Sequence, residues 1–149
     1  MIRRYRQYLA FTDGRPASIG VKGRTGQRNA PTILNALYNN TQFWDGRAKS
    51  LEEQAALPIT NPSEMGQPSL EAAVAQIAAL PEYEQAFRRV FDRPINGTDL
   101  VRAIASYERT QFSFDSPFDH FMAGDRKRGP DRRSSPGGSS RALPVCRNL

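Results

Sequence analysis

Repeated helix start signals, most of them placed after a loop rich in Pro, Gly, Asn or Ser, constrain the fold of this sequence more than any other feature. Each signal precedes a segment with apolar residues three or four positions apart, which is the spacing of one helix face. No segment shows the sustained apolar–polar alternation that is typical of a β-strand. The signals are Pro31, Ser50, Ser69, Pro81, Thr98 and Ser116. We therefore predict an all-α fold of about five or six short helices joined by long loops.

The first two predicted helices are bounded by proline. The sequence PTILNALYNN, residues 31–40, predicts a helix with its proline at the first position, where a missing N–H is tolerated. Ser50 followed by Glu53 forms a capping-box pattern at the start of the second helix. We expect this helix to end at Pro58, because the residue before a proline disfavours the helical conformation.

The later helices carry clearer apolar faces. Ser69 is expected to cap an alanine-rich helix, and the sequence PEYEQAFRRVF predicts another helix directly after it. Thr98 is expected to cap the next helix, with Leu100, Ile104 and Tyr107 along its apolar face.

The net charge of +6 is concentrated near the end of the sequence. Residues 126–149 contain seven basic side chains and one acidic side chain, so they account for the whole excess. They are also rich in Ser, Gly and Pro and poor in apolar residues, which predicts disorder. We therefore divide the sequence into a helical domain, residues 1–125, and a disordered basic tail, residues 126–149.

The sequence contains one cysteine, Cys146, and one histidine, His120. A single cysteine excludes an internal disulfide and a zinc site built from several cysteines. No apolar run approaches the roughly 20 residues that span a bilayer, so no membrane span is expected. The first residues are basic but lack an apolar core and a cleavage site, so we expect no signal peptide in this sequence.

Residues 28–66 contain four linked motifs: N-A-P-T, F-W-D-G-R, L-x-x-Q-A and P-I-x-N-P-x-E-M. In this order and spacing they resemble the bacterial di-haem cytochrome c peroxidase family, including its MauG-like branch. The resemblance extends through IASYERTQFSFDSPFDHFMAGD and covers roughly residues 11–125. It implies an incomplete, cytochrome c-like helical domain. It also implies electron transfer and reduction of hydrogen peroxide to water in the periplasm.

The resemblance assigns roles to four residues. Gln54 and Glu64 match the pair that lines the family's peroxide pocket, where the glutamate helps to move a proton between the peroxide oxygens. Trp44 matches a tryptophan that lies between the two haems and assists electron transfer. Asn29 matches a calcium ligand between the two haem domains. Haem c and calcium are the cofactors that the family implies.

Physical reasoning from the residues alone leaves alternatives open. A carboxylate such as Glu64 suits proton transfer if it lies within hydrogen-bond reach, but it also suits an exposed loop. Trp44 either presents its ring from a polar loop or fills space between helices. Asn29 supplies one oxygen, whereas calcium takes six to eight.

The sequence departs from the family at its haem attachment sites. The family binds each haem through a C-x-x-C-H motif, and this sequence contains none. We therefore expect a truncated or frameshifted copy without covalent haem, with a haem-free paralogue as the less economical account. The resemblance implies hydrogen peroxide, a small electron-donor protein and a homodimer as partners of the intact protein.

Two haem-free alternatives remain open. One is a helical binding module whose basic tail binds nucleic acid or anionic surfaces, since clustered Lys and Arg neutralise phosphates. Against it, the tail lacks aromatic residues for base stacking, so we expect no nucleic-acid partner. The other is a haem-free partner that docks on an intact peroxidase.

Overall fold

The computed structural model describes residues 9–125. Within this range the chain forms five α-helices: α1 (Leu51–Thr60), α2 (Leu70–Ala78), α3 (Pro81–Phe91), α4 (Gly97–Thr110) and α5 (Pro117–Met122). It forms no β-strand there, only two isolated β-bridges between loop residues. The predicted all-α class with long loops is confirmed, whereas the predicted disordered tail lies outside the described residues.

The chain divides into two compact units, with the boundary after Phe112. In the first unit, α1 and α4 pack together, and α2 and α3 form a hairpin beside them. The main core joins apolar side chains from all four helices and the α3–α4 connection: Ile59, Ala73, Phe87, Ile95 and Leu100. A second small cluster, Ala36, Leu51 and Ala105, joins the N-terminal loops to α1 and α4.

The predicted helix over residues 31–40 is wrong. Only one 3-10 turn forms there, Ala36–Tyr38, because Asn35 adopts the left-handed conformation with φ of 61°. The Asn35 N–H donates to the Gln111 carbonyl at 2.9 Å instead of a helical partner, and the Thr32 hydroxyl accepts from the Leu34 N–H. Tertiary and side-chain hydrogen bonds therefore replace the helical ones.

Helix α1 begins as predicted, with the Ser50 hydroxyl accepting from the Glu53 N–H at 3.1 Å. The Glu53 carboxylate, however, accepts from the Lys49 N–H. The predicted end at Pro58 is wrong, because α1 continues through Pro58 to Thr60. An interior proline removes a helical hydrogen bond and crowds the carbonyl four residues before it. Burial of Ile59, one residue on, in the core favours the continued helix and offsets this cost.

Helix α4 begins two residues earlier than predicted, and its cap is Asn96 rather than Thr98. The Asn96 side-chain oxygen accepts from the Asp99 N–H at 3.0 Å, and its amide donates to the Asp99 carboxylate at 2.6 Å. Gly97 lies against α2, where an added Cβ would approach Leu70 Cδ2 to 2.7 Å. The cap position is thus set by a side-chain network and a close helix contact.

The predicted apolar face of α4 is correct for Leu100 and Ile104 but wrong for Tyr107, which is 54% exposed. Its place on the buried face is taken by Glu108. The spacing of four residues from Leu100 to Ile104 to Glu108 explains this, because it follows one face of a helix.

The second unit is described for residues 113–125 and contains α5. Ser116 and Asp119 form a reciprocal capping box at its start, as the Ser116-Pro117 signal predicts. His120 Nε2 lies 2.9 Å from Asp115 Oδ1.

Candidate functional site

A cavity of about 100 Å³ lies between the loops before α1, helix α1 and the loop after it. Its lining includes all four residues to which the resemblance assigned roles: Asn29, Trp44, Gln54 and Glu64. These residues are up to 35 positions apart in the sequence, so their convergence is a property of the fold. We call this space the site cavity.

Trp44 lies in a tight turn and is 61% exposed. The Phe43 carbonyl accepts from the Gly46 N–H at 3.3 Å, and φ of Gly46 is 69°, a conformation that favours glycine. Arg47 pairs with both carboxylate oxygens of Asp45 at 2.9 and 3.0 Å, which fixes the turn. The structure therefore favours a presented ring over a plug between helices.

The indole N–H of Trp44 donates to the backbone carbonyl of Asn29 at 3.0 Å. This bond leaves the indole ring at the edge of the site cavity and ties its turn to the loop at residues 28–31.

Gln54 projects from the second turn of α1 and is half-buried. It lines the site cavity and two further cavities. The first, of about 270 Å³, lies between α1 and residues 31–44, and the second, of about 280 Å³, is lined mainly by apolar side chains of α1, α2 and α4. Its amide can donate and accept hydrogen bonds, so it suits an oxygen-containing ligand.

Glu64 lies in the loop after α1 and is held from two sides. The Asn61 amide donates to the Glu64 carboxylate at 3.3 Å, and the Asn61 carbonyl accepts from the Glu64 N–H at 2.9 Å. From the other side, the Val21 N–H donates to the Glu64 carbonyl at 2.8 Å. Two separate loops thus set the position of this carboxylate.

Asn29, the residue matched to a calcium ligand, has an exposed side chain. Among residues 9–125 no group of three or more His, Cys, Asp or Glu is arranged to hold a metal ion. The Asn29 side chain supplies one of the six to eight oxygens that calcium needs.

The described residues fit a haem pocket only in part. The apolar cavity beside Gln54 suits a porphyrin face, and Gln54 and Glu64 provide polar groups near one another. However, the range 9–125 contains no cysteine, and its histidine, His120, belongs to the second unit. Cys146 lies outside the described residues. The residues that attach and ligate haem are therefore not found in this part of the chain.

Glu108 is a site residue that the sequence analysis missed. It is 7% exposed. Together with Gln54 it lines the cavities of about 270 and 280 Å³, which we call the two larger cavities. Burial raises the pKa of its carboxyl group to about 7; the nearby Arg109 lowers the pKa and Glu52 raises it. The four-residue spacing from Ile104 was the signal that could have identified it.

In the part of the chain that the structure describes, no helix has the length and apolar character needed to cross a membrane.

The sequence profile of the di-haem cytochrome c peroxidases matches residues 6–127. The chain therefore belongs to the di-haem cytochrome c peroxidase family, as its motifs predict.

Individual relatives include both branches of this family. The chain is 42% identical over 113 residues to cytochrome c peroxidase Ccp of Escherichia coli, which covers 76% of this chain and 24% of that protein. It is 37% identical over 119 residues to methylamine utilization protein MauG of Methylorubrum extorquens, covering 78% and 33%. This chain thus spans about a quarter to a third of the length of these relatives.

The fold is similar to a solved structure described as a MauG-like protein associated with microbial copper homeostasis. The TM-score is 0.73 at 33% identity, covering 83% of this chain and 38% of that one. This similarity confirms the predicted cytochrome c-like helical class.

Proposed function

We propose that this chain forms one wall of a peroxide-reducing pocket. The observation that carries the proposal is the convergence of Trp44, Gln54 and Glu64 on the site cavity. Family membership supports the reaction class, which is reduction of hydrogen peroxide to water with electrons from a donor protein. The roles of the three residues and the activity of the whole protein are part of this proposal.

Reduction of one peroxide molecule consumes two electrons and two protons and releases two water molecules. In this proposal Glu64, which lines the site cavity, accepts a proton from one peroxide oxygen and returns it to the other as the O–O bond breaks. Gln54 orients the peroxide by hydrogen bonds. Trp44 provides an aromatic ring along the electron path.

Haem c is the cofactor that the family name implies, and when bound it supplies the electrons and the metal site for peroxide. We further propose that the intact protein acts in the periplasm as a homodimer and takes electrons from a small donor protein. Asn29 would contribute one calcium ligand, with the remaining oxygens from water and from a second domain.

The 149-residue chain is expected to carry no covalent haem, because c-type attachment uses two cysteines and the sequence has only Cys146. Expressed with a signal peptide and haem-attachment machinery, it should show no haem-stained band on a denaturing gel. The Escherichia coli relative, expressed in parallel, is the positive control. A haem-stained band from this chain would contradict the expectation and show that the single thiol had reacted.

The role of Glu64 can be tested in a chimera in which residues 28–66 replace the matching segment of the Escherichia coli peroxidase. We expect Glu64→Gln to lower peroxide turnover by about 10²-fold or more, because the amide cannot accept and return a proton. Glu53→Gln is the matched control, since its amide oxygen can still accept from the Lys49 N–H. Equal turnover in the two variants would remove Glu64 from the mechanism.

A further inference from the structure

Glu108 lies on α4 where the two larger cavities approach one another, and it faces both of them. Among residues 9–125, the other residue that lines both is Gln54, from helix α1. Among the described residues that line these cavities, Glu108 is the only one with an ionisable carboxyl, amino or guanidinium group. A buried carboxyl group thus faces a largely neutral surface.

The Glu108 carboxyl group is not neutralised by its charged neighbours. Its Oε2 atom is buried and has no hydrogen-bond partner among the described residues. The opposite charge that lowers the pKa of Glu108, Arg109, donates two hydrogen bonds to the Glu52 carboxylate across the α1–α4 interface, at 2.8 and 2.9 Å. Because Arg109 is engaged there, burial dominates and raises the pKa of Glu108 to about 7.

We propose that Glu108 is a proton-holding residue beside the site cavity, which carries a proton and releases it into the two cavities that it shares with Gln54. Gln54 also lines the site cavity, where peroxide reduction is proposed. The inference rests on the proposed peroxide reduction, which consumes two protons for every two electrons that the donor protein supplies. Glu108 provides one of these protons as its O–H bond breaks. Its carboxylate then takes a proton from solvent, leaving a hydroxide ion there, and solvent supplies the second proton in the same way.

Protonation of Glu108 also affects how the free energy of unfolding depends on pH, and this effect does not require haem. The pKa of Glu108 is higher in the folded chain than in the unfolded chain, so the folded chain binds more protons between the two values. The contribution of the protonated Glu108 carboxyl to the free energy of unfolding is therefore fully present below about pH 4.5. It is lost as the pH rises through about 7. Glu108→Gln stays neutral, and its stability should lack this decrease.

The test is a pH titration of the full chain without haem. NMR of isotope-labelled glutamate carboxyl carbons should show one group with a midpoint near 7, absent in Glu108→Gln and retained in the matched variant Glu64→Gln. Glu108→Leu assigns the signal if the glutamine variant does not fold. A midpoint near the ordinary glutamate value would overturn the proposal.

A second arm tests whether Glu108 and Gln54 share the cavities functionally. Gln54→Leu removes the polar side chain that shares both cavities with Glu108, and the less polar surroundings should raise the Glu108 midpoint by roughly half a unit or more. Gln76→Leu, at the rim of the apolar cavity, is the control and should leave it unchanged. An unchanged Glu108 midpoint in Gln54→Leu would show that Gln54 does not influence the Glu108 carboxyl through the cavities that both residues line. The two proposals can fail separately. If Glu108 titrates near 7 but Glu64→Gln is active in the chimera, the proposed role of Glu64 is refuted and the proton-holding role of Glu108 stands.

Discussion

Replacing Gly20 by alanine should destabilise the chain by about 2 to 3 kcal/mol, because the new methyl group has no space. A Cβ on Gly20 would lie 2.1 Å from the Ser63 carbonyl oxygen and 2.8 Å from the Glu64 carbonyl oxygen. Both are backbone atoms, so the overlap cannot be relieved by a side-chain rotation. The loop that carries Glu64 must move, and urea unfolding measures the loss of stability.

Gly26→Ala is the matched control for this prediction. Gly26 lies in the same loop, but its added Cβ would make only an ordinary contact, 3.5 Å from the Ser18 carbonyl oxygen. We expect a change of less than about 1 kcal/mol there. Equal destabilisation by the two substitutions would show that the close approach of Gly20 to residues 63–64 does not limit stability.

Asp99→Asn should lower the melting temperature by roughly 5 °C or more, because it breaks a buried charge-assisted network. The Asp99 side chain is fully buried and accepts two hydrogen bonds from Arg93, both at 2.7 Å, and one from Asn96. The hydrogen bond from Arg93 lowers the pKa of the Asp99 carboxyl. The contribution of the ionised Asp99 carboxylate to the stability of the fold is therefore present above the ordinary carboxyl pKa. It is lost as the pH falls through the lowered pKa.

Asp92→Asn provides the control in the same connection between α3 and α4. Asp92 is exposed and ends α3 in the left-handed conformation with φ of 54°, which asparagine also accepts. Its melting temperature should stay within about 2 °C of the wild type. A melting temperature for Asp99→Asn in that same range would show that the buried network does not hold the start of α4.

Local signals predicted the helices whose start is set by their own side chains. Ser69 accepts from the Ala72 N–H, and Pro81 occupies the first position of α3. Such bonds join residues two or three positions apart, so a short sequence window contains both partners. The predictions failed where the partner is distant, as for Asn35, which bonds to Gln111.

The sequence by itself determined the helical class, the family and the identity of three candidate site residues, because linked motifs keep their order and spacing along the chain. Tertiary structure alone decided that Trp44, Gln54 and Glu64 meet at one cavity. It also decided that Glu108 is buried and shares two cavities with Gln54, with its pKa raised to about 7. The physical reason is that burial and electrostatic environment arise from packing between α1 and α4, which brings together residues more than 50 positions apart.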